Sequence, residues 1–384
     1  MRARSIALTA GLAAAFFASV LFSKPTGNKH DGQWIFRFDT FGDEQLWTDI
    51  LRMHEVVQSA VSPRTALSVG LKVDASVLPP NFLAKANLDD PATTVELLRR
   101  NAVVGIVAKV EDRNITSLGI TCALCHSTVD NSVTAGIGKR VDGQANRDLN
   151  PGAIIALSPA VPPAQKDVYN SWGAGRYDPR FNHDGINGPV LIPNIYSLQG
   201  VPFETYTGDG PISYWNAYVG VTQMGGHGNF CDPRIGICIS QTPDLVTPKL
   251  PALLQYQLSL FKPAPPPGSF NVAAAARGRT VFNTAGCSSC HAGSTFTDVG
   301  NGPDSATPKL HDPAETGMNP LYASRSATGK YRTEPLRALW QHAPYFHDGS
   351  APTLAAVVEH YNSHFLLGLT EAEKADLVEY LKSI

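Results

Sequence analysis

Cys122-Ala123-Leu124-Cys125-His126 and Cys287-Ser288-Ser289-Cys290-His291 repeat one pattern, Cys-x-x-Cys-His, in the two halves of the chain. That order of residues constrains the fold more than any other feature. Two thiols a turn apart take up the two vinyl groups of a haem as thioethers, and the adjoining imidazole is held under the iron. Axial ligation then sets potential and spin state. A thioredoxin-like dithiol does not need His directly after the second Cys, and zinc needs a second ligand pair near each copy. Chance can supply one such pentapeptide among six cysteines. Two copies argue for two covalently bound haem c groups. The expected cofactor-binding residues are Cys122, Cys125 and His126 for the first, and Cys287, Cys290 and His291 for the second.

A chain of 384 residues suffices for two domains that each bury a core. Charged residues make up 17%, while Gly (33) and Pro (29) are plentiful, which suits a loop-rich fold wrapped round a large apolar cofactor. A net charge of −2 excludes the basic footprint that nucleic acid or anionic lipid would require. Two cysteines remain, Cys231 and Cys238. They either close a small disulfide loop, as an oxidising compartment allows, or stay as two free thiols.

Arg2 and Arg4 precede an apolar run from Ile6 to Phe22, so residues 1–24 read as an export signal. No clean small-x-small cleavage site follows, and the run approaches the length of a membrane span, so a retained N-terminal anchor is the alternative. Either way the expected location is the periplasm, because bacteria attach haem c outside the cytoplasmic membrane.

Along the chain, Leu46, Ile50, Met53 and Val57 predict a helix over 43–60 with Asp43 as N-cap. Asp90-Pro91 opens a second, through Leu97 and Leu98. The Pro-rich stretch 262–268 reads as the interdomain linker. Residues 271–283 predict an Ala-rich helix, and Thr370-Glu371-Ala372-Glu373 a capping box ahead of Leu377, Tyr380, Leu381 and Ile384. The expected fold class is mainly α: two cytochrome c-like domains with loop-rich connections and one covalent haem each. The first haem domain spans 30–260 with a helical N-terminal extension; the C-terminal cytochrome c domain spans 269–384.

Tyr331-Arg332-Thr333-Glu334-Pro335-Leu336-Arg337, continuing through Ala343-Pro344-Tyr345-Phe346-His347-Asp348-Gly349-Ser350 to Thr353-Leu354, resembles the diheme cytochrome c peroxidase superfamily. That group includes bacterial peroxidases, the methylamine-utilisation diheme enzyme and haem-containing rubber oxygenases. The resemblance is strongest over 270–384 and looser over 100–230. It implies two cytochrome c domains with their haems facing a shared interface, one storing electrons and the other open to a small oxidant. It also implies a Met ligand just before Pro-Tyr-Phe-His, where this chain has Ala343. That departure leaves His347 as the expected sixth ligand of the second iron, so the expected metal ligands are His126, His291 and His347. Met318 and His342 are its competitors, whereas His360 and His364 read as surface residues. Trp340 reads as packing on a porphyrin face or bridging the haems.

A faint internal repeat carries the functional expectation. The segment from Ile192 to Gly210 parallels that from Glu334 to Gly349, and Tyr206-Thr207-Gly208 stands where the second copy has His347. The first iron then lacks a strong sixth ligand, unless Met224, His227 or His183 fills the gap. The expectation is an exported oxidoreductase that takes electrons at the C-terminal haem from a small redox protein or a quinol-linked donor. It would reduce hydrogen peroxide or dioxygen at the first haem, with Glu204 and His227 as candidate acid–base groups by location alone. The alternatives are a pure electron-transfer cytochrome with no catalytic haem, and an oxygenase acting on an apolar substrate.

Overall fold

Two helix crossings, one in each half, organise the computed structural model, which describes residues 28–384. In the first, the Lys29–Phe38 helix lies against Leu250–Leu258. In the second, Val272–Thr284, capped by Asn271, lies against Glu371–Ser383. Both pairs approach at a glycine. A Cβ on Gly32 would sit 2.0 Å from the Ala252 carbonyl oxygen, and one on Gly278 would sit 1.9 Å from that of Asp376. One turn on, the same helix faces meet again through aromatic rings: Phe36 with Tyr256 at 5.5 Å and Phe282 with Tyr380 at 5.3 Å. The two crossings therefore share one design, residue for residue.

After Phe38 the first half departs from that design. Residues 40–120 form an insertion, and the chain returns where Thr121 Oγ1 donates to the Arg37 carbonyl at 3.1 Å, one residue before the first Cys-x-x-Cys-His. The core of the insertion joins Trp47, Leu97, Leu98 and Leu118 to Leu149 and Trp172. The helix expected over 43–60 is broken. A π-helical segment, Gln45–Ile50, ends at Arg52 in the left-handed region (φ 54°), and Met53–Ala60 follows. Asp43 does not cap it through its side chain. Its carboxylate is fully buried and accepts from the Ile120 N–H at 3.2 Å, fixing the segment to the Ile106–Glu111/Asn114–Ile120 hairpin. A tertiary bond has taken the acceptor that a local cap would use.

The other predicted helices form close to the expected places. Pro91–Arg99 starts with the Asp90 side chain accepting from the Ala92 N–H, and Thr370 and Glu373 complete the capping box. Strands add more sheet than the sequence suggested, all in two-stranded pairs among the described residues. One pair, Phe230–Asp232 with Ile237–Ile239, sets Cys231 opposite Cys238, and the two form a disulfide. The Pro-rich stretch runs without helix or strand between Leu258 and Val272. The expected export segment lies outside the described residues. No helix among the described residues is long and apolar enough to cross a membrane.

The internal repeat is structural. Glu204 bridges Gly210 and Tyr345 bridges Ala351, each followed by a left-handed residue, Thr205 (φ 59°) and Phe346 (φ 66°). Tyr206 and His347 therefore hold equivalent places. Each loop is gripped by the other half: Leu191 N–H donates to the His347 carbonyl at 2.7 Å, and Arg332 N–H to that of Tyr206 at 2.9 Å.

Candidate functional site

Cys122 opens a single helical turn, Ala123–His126, which directs His126 toward the Pro193 carbonyl. The distance from His126 Nδ1 to that oxygen is 3.0 Å. A carbonyl can only accept, so the proton sits on Nδ1 and Nε2 keeps its lone pair. Burial pushes this imidazole down to about 4, which keeps it neutral. Cys122 and Cys125 are unpaired, and burial pushes both thiols up to about 12. Addition to a vinyl group consumes the S–H they retain.

The second motif reaches the same arrangement by a different turn. Gly286, at φ 82°, leads into Cys287–Ser289, and His291 Nδ1 donates to the Phe296 carbonyl at 3.1 Å. Burial lowers this imidazole too. Cys287, Cys290 and His291 line a cavity of about 570 Å³, within the range of cofactor sites. Phe282, Leu336, Val358 and Leu377 give it an apolar wall. Free thiols, an imidazole with its lone pair available and an apolar cavity together fit a c-type haem. The cavity extends to Pro193 and Asn194 of the first half, but Cys122, Cys125 and His126 are not on its wall.

The structure separates the expected sixth ligands of the second site. His347 and His342 both line the cavity, yet each has Nε2 engaged. The Tyr331 hydroxyl donates its proton to the Asn319 carbonyl (2.6 Å), so His347 Nε2, 3.1 Å away, must donate to that hydroxyl. Its Nε2 lone pair is therefore not free. His342 Nε2 accepts from Asn194 Nδ2 at 2.8 Å and meets the Tyr196 hydroxyl at 2.7 Å. Met318 is on the wall, in a segment held by two residues expected at the surface: His360 bonds the Thr316 carbonyl and His364 that of Glu315. Tyr361, which sequence reasoning missed, also faces the cavity and lies close enough to Cys287 and Cys290 to feel both thiols. Burial pushes its phenol up to about 12, and the hydroxyl has no hydrogen-bond partner among the described residues. It sits ten residues past the bridge residue Ala351; ten past the equivalent Gly210 stands Gly220.

Several other candidates are not brought to this cavity. Glu204 is buried, its carboxyl raised by burial and paired with Arg332 at 2.8 Å. His227 bonds the Pro243 carbonyl through Nδ1, and Met224 belongs to a core with Trp215 and Leu253. His183 and Trp340 are likewise absent from the cavity wall. Cys290, Asp298 and His311 lie close enough to suggest a metal cluster, but Lys309 neutralises Asp298 at 2.7 Å.

These features define a c-type haem protein, and comparison with known proteins places it more closely. A family described as RoxA-like, cytochrome c-like, matches residues 329–363. The chain is 32% identical over 129 residues to the methylamine utilization protein MauG of Methylorubrum extorquens (strain AM1). That match covers 29% of this chain and 34% of MauG, so it spans about a third of the relative's length. Two solved structures overlap more weakly. They are hydrazine synthase of Kuenenia stuttgartiensis (21% identity, TM-score 0.34, 51% of this chain and 73% of that one) and a MauG-like protein associated with microbial copper homeostasis (18%, 0.36, 52% and 75%). Over these stretches the chain is similar to cytochrome c-like proteins of the RoxA and MauG kind.

Proposed function

We propose that this protein is an exported, periplasmic diheme c-type cytochrome that works as an oxidoreductase. One haem is held by Cys122, Cys125 and His126, the other by Cys287, Cys290 and His291. Bound haem supplies one-electron chemistry at iron; the protein supplies ligands, orientation and exclusion of side reactions. Electrons enter at the C-terminal haem from a small redox protein or a quinol-linked donor, and peroxide or dioxygen is reduced at the first.

The observation that carries this reading is the asymmetry between equivalent positions. Tyr361 faces the second site with a free phenol, whereas the matching place in the first half is Gly220, which has no side chain to offer. The other loop position does not restore a ligand, because Tyr206 donates its hydroxyl to the Leu191 carbonyl at 3.2 Å. An iron face without a strong protein ligand is what a small oxidant needs. At the second site, Tyr361 is the candidate sixth ligand, as a phenolate that would give up its proton on binding, whereas His347 would first have to release Tyr331.

The test is electron paramagnetic resonance and optical spectra of the purified protein, oxidised and half-reduced, before and after hydrogen peroxide. Two haems should survive acid–acetone extraction, with Cys122→Ala and Cys287→Ala each removing one. Recovery of a single haem from the wild type would overturn the assignment. Two six-coordinate irons inert to peroxide and dioxygen would leave electron transfer alone.

A further inference from the structure

Two guanidinium groups face the second cavity with no carboxylate among the described residues in ion-pair contact. Arg337 is 8% exposed; its Nη1 donates to the Tyr196 carbonyl at 3.1 Å, and its Nη2 is buried without a partner. Arg147, from the first half, lines the same cavity and also has a buried, unpartnered Nη1. A third guanidinium, Arg332, is matched by Glu204 at 2.8 Å and Glu334 at 3.0 Å. The two carboxylates on this wall are already engaged, Glu334 by Arg332 and Glu315 by His311 at 2.8 Å. His342 lines the same cavity and is pushed down to about 3, by burial first and then by Arg147, Arg337 and Lys262.

A buried charge without a partner costs far more than one hydrogen bond returns, so such groups are held for an anion. A haem tethered through its vinyl groups to Cys287 and Cys290 brings two carboxylates on its other edge. A guanidinium fork meets a carboxylate with two parallel bonds. We infer that Arg147 and Arg337 bind the propionate carboxylates of the haem held at Cys287 and Cys290. The first half thereby contributes a cation to the cofactor of the second. This rests on the diheme reading above. It predicts that the first half holds up the second haem's potential, because both cations disfavour the more positive ferric state.

The test uses the holoprotein with Arg147→Gln, Arg337→Gln and the matching Lys variants. Haem content is measured first, and each iron is then followed by electron paramagnetic resonance during a redox titration. At the wild-type midpoint, each Gln variant should raise the ferric-to-ferrous ratio of the second haem about tenfold, a shift of about 59 mV for one electron. The first haem should move less, and Lys should restore most of the loss, which a purely structural role would not do. Should Arg337→Gln fail to fold, Arg147→Gln decides. A ratio within twofold of wild type, with haem present at Cys287, overturns the inference. Absence of haem at Cys287 overturns the diheme reading instead.

Discussion

Tyr206 and His347 hold the same place in the two halves and meet across the seam, their ring centroids 6.3 Å apart at 61°. Tyr322 and Tyr331 extend this contact into an aromatic cluster round His347. The repeat has placed two side chains of different chemistry at one position, and each is hydrogen-bonded. Tyr206 is bonded to Leu191 and His347 to Tyr331. Their ring contact joins the halves.

Substitutions separate the candidate ligands of the second iron. Tyr361→Phe should convert the second haem from six-coordinate to high spin, read by electron paramagnetic resonance and the optical spectrum. His347→Ala should leave its coordination unchanged while loosening the seam. The reverse pattern returns the ligand to His347, and conversion by Met318→Ala assigns it to Met318.

Oxidant binding should be confined to the first haem. Half-reduced protein should bind cyanide there and turn over peroxide with a reduced cytochrome donor. His126 variants should lose this activity entirely, because the iron loses its proximal ligand. His347 variants should slow without stopping. Cyanide binding at the second haem alone would contradict the assignment of roles.

Gly278→Ala tests the helix crossing. On helix propensity alone the change gains about 1 kcal/mol. The added Cβ, however, would fall 1.9 Å from the Asp376 oxygen, a backbone atom that cannot swing aside. Strain should win, for a net loss of about 1–3 kcal/mol, visible as a lower melting temperature. A higher melting temperature would mean the helices do not touch there.

Asp43 should make stability fall as pH rises. Burial, then the neighbouring Glu44 charge, push its carboxyl from 3.8 up to about 10. The folded form keeps a proton that the unfolded chain releases, so between those values stability declines by about 1.4 kcal/mol per pH unit. Asp43→Asn should remove that slope, gaining stability over wild type at pH 8 more than at pH 5 in urea unfolding. An equal difference at both pH values would refute the assignment.

Legibility from sequence followed the range of the interactions. The second crossing was readable because its helices carry local caps at Asn271 and Thr370. The first was not. Lys29–Phe38 is short, and nothing local reveals that Gly32 packs on Ala252. The two Cys-x-x-Cys-His motifs were legible because haem attachment needs contiguous spacing. The tautomers of His126, His342 and His347 were not, since each is set by a partner remote in sequence or by a loop carbonyl. Asp43 misled for the same reason: a good local cap residue was claimed by the Ile120 amide.

The insertion separates the two halves in time as well as in space. Gly32 meets Ala252, 252 − 32 = 220 positions away, while Gly278 meets Asp376 after only 376 − 278 = 98. Loop closure makes this a small thermodynamic difference, about 0.6 kcal/mol per doubling of length. For the rate it matters more, because long-range contacts slow folding. During synthesis, the first crossing cannot close until Leu250–Leu258 has emerged, long after Cys122 and Cys125. The thiols of the first half therefore have a longer interval before their fold shuts around them than those of the second.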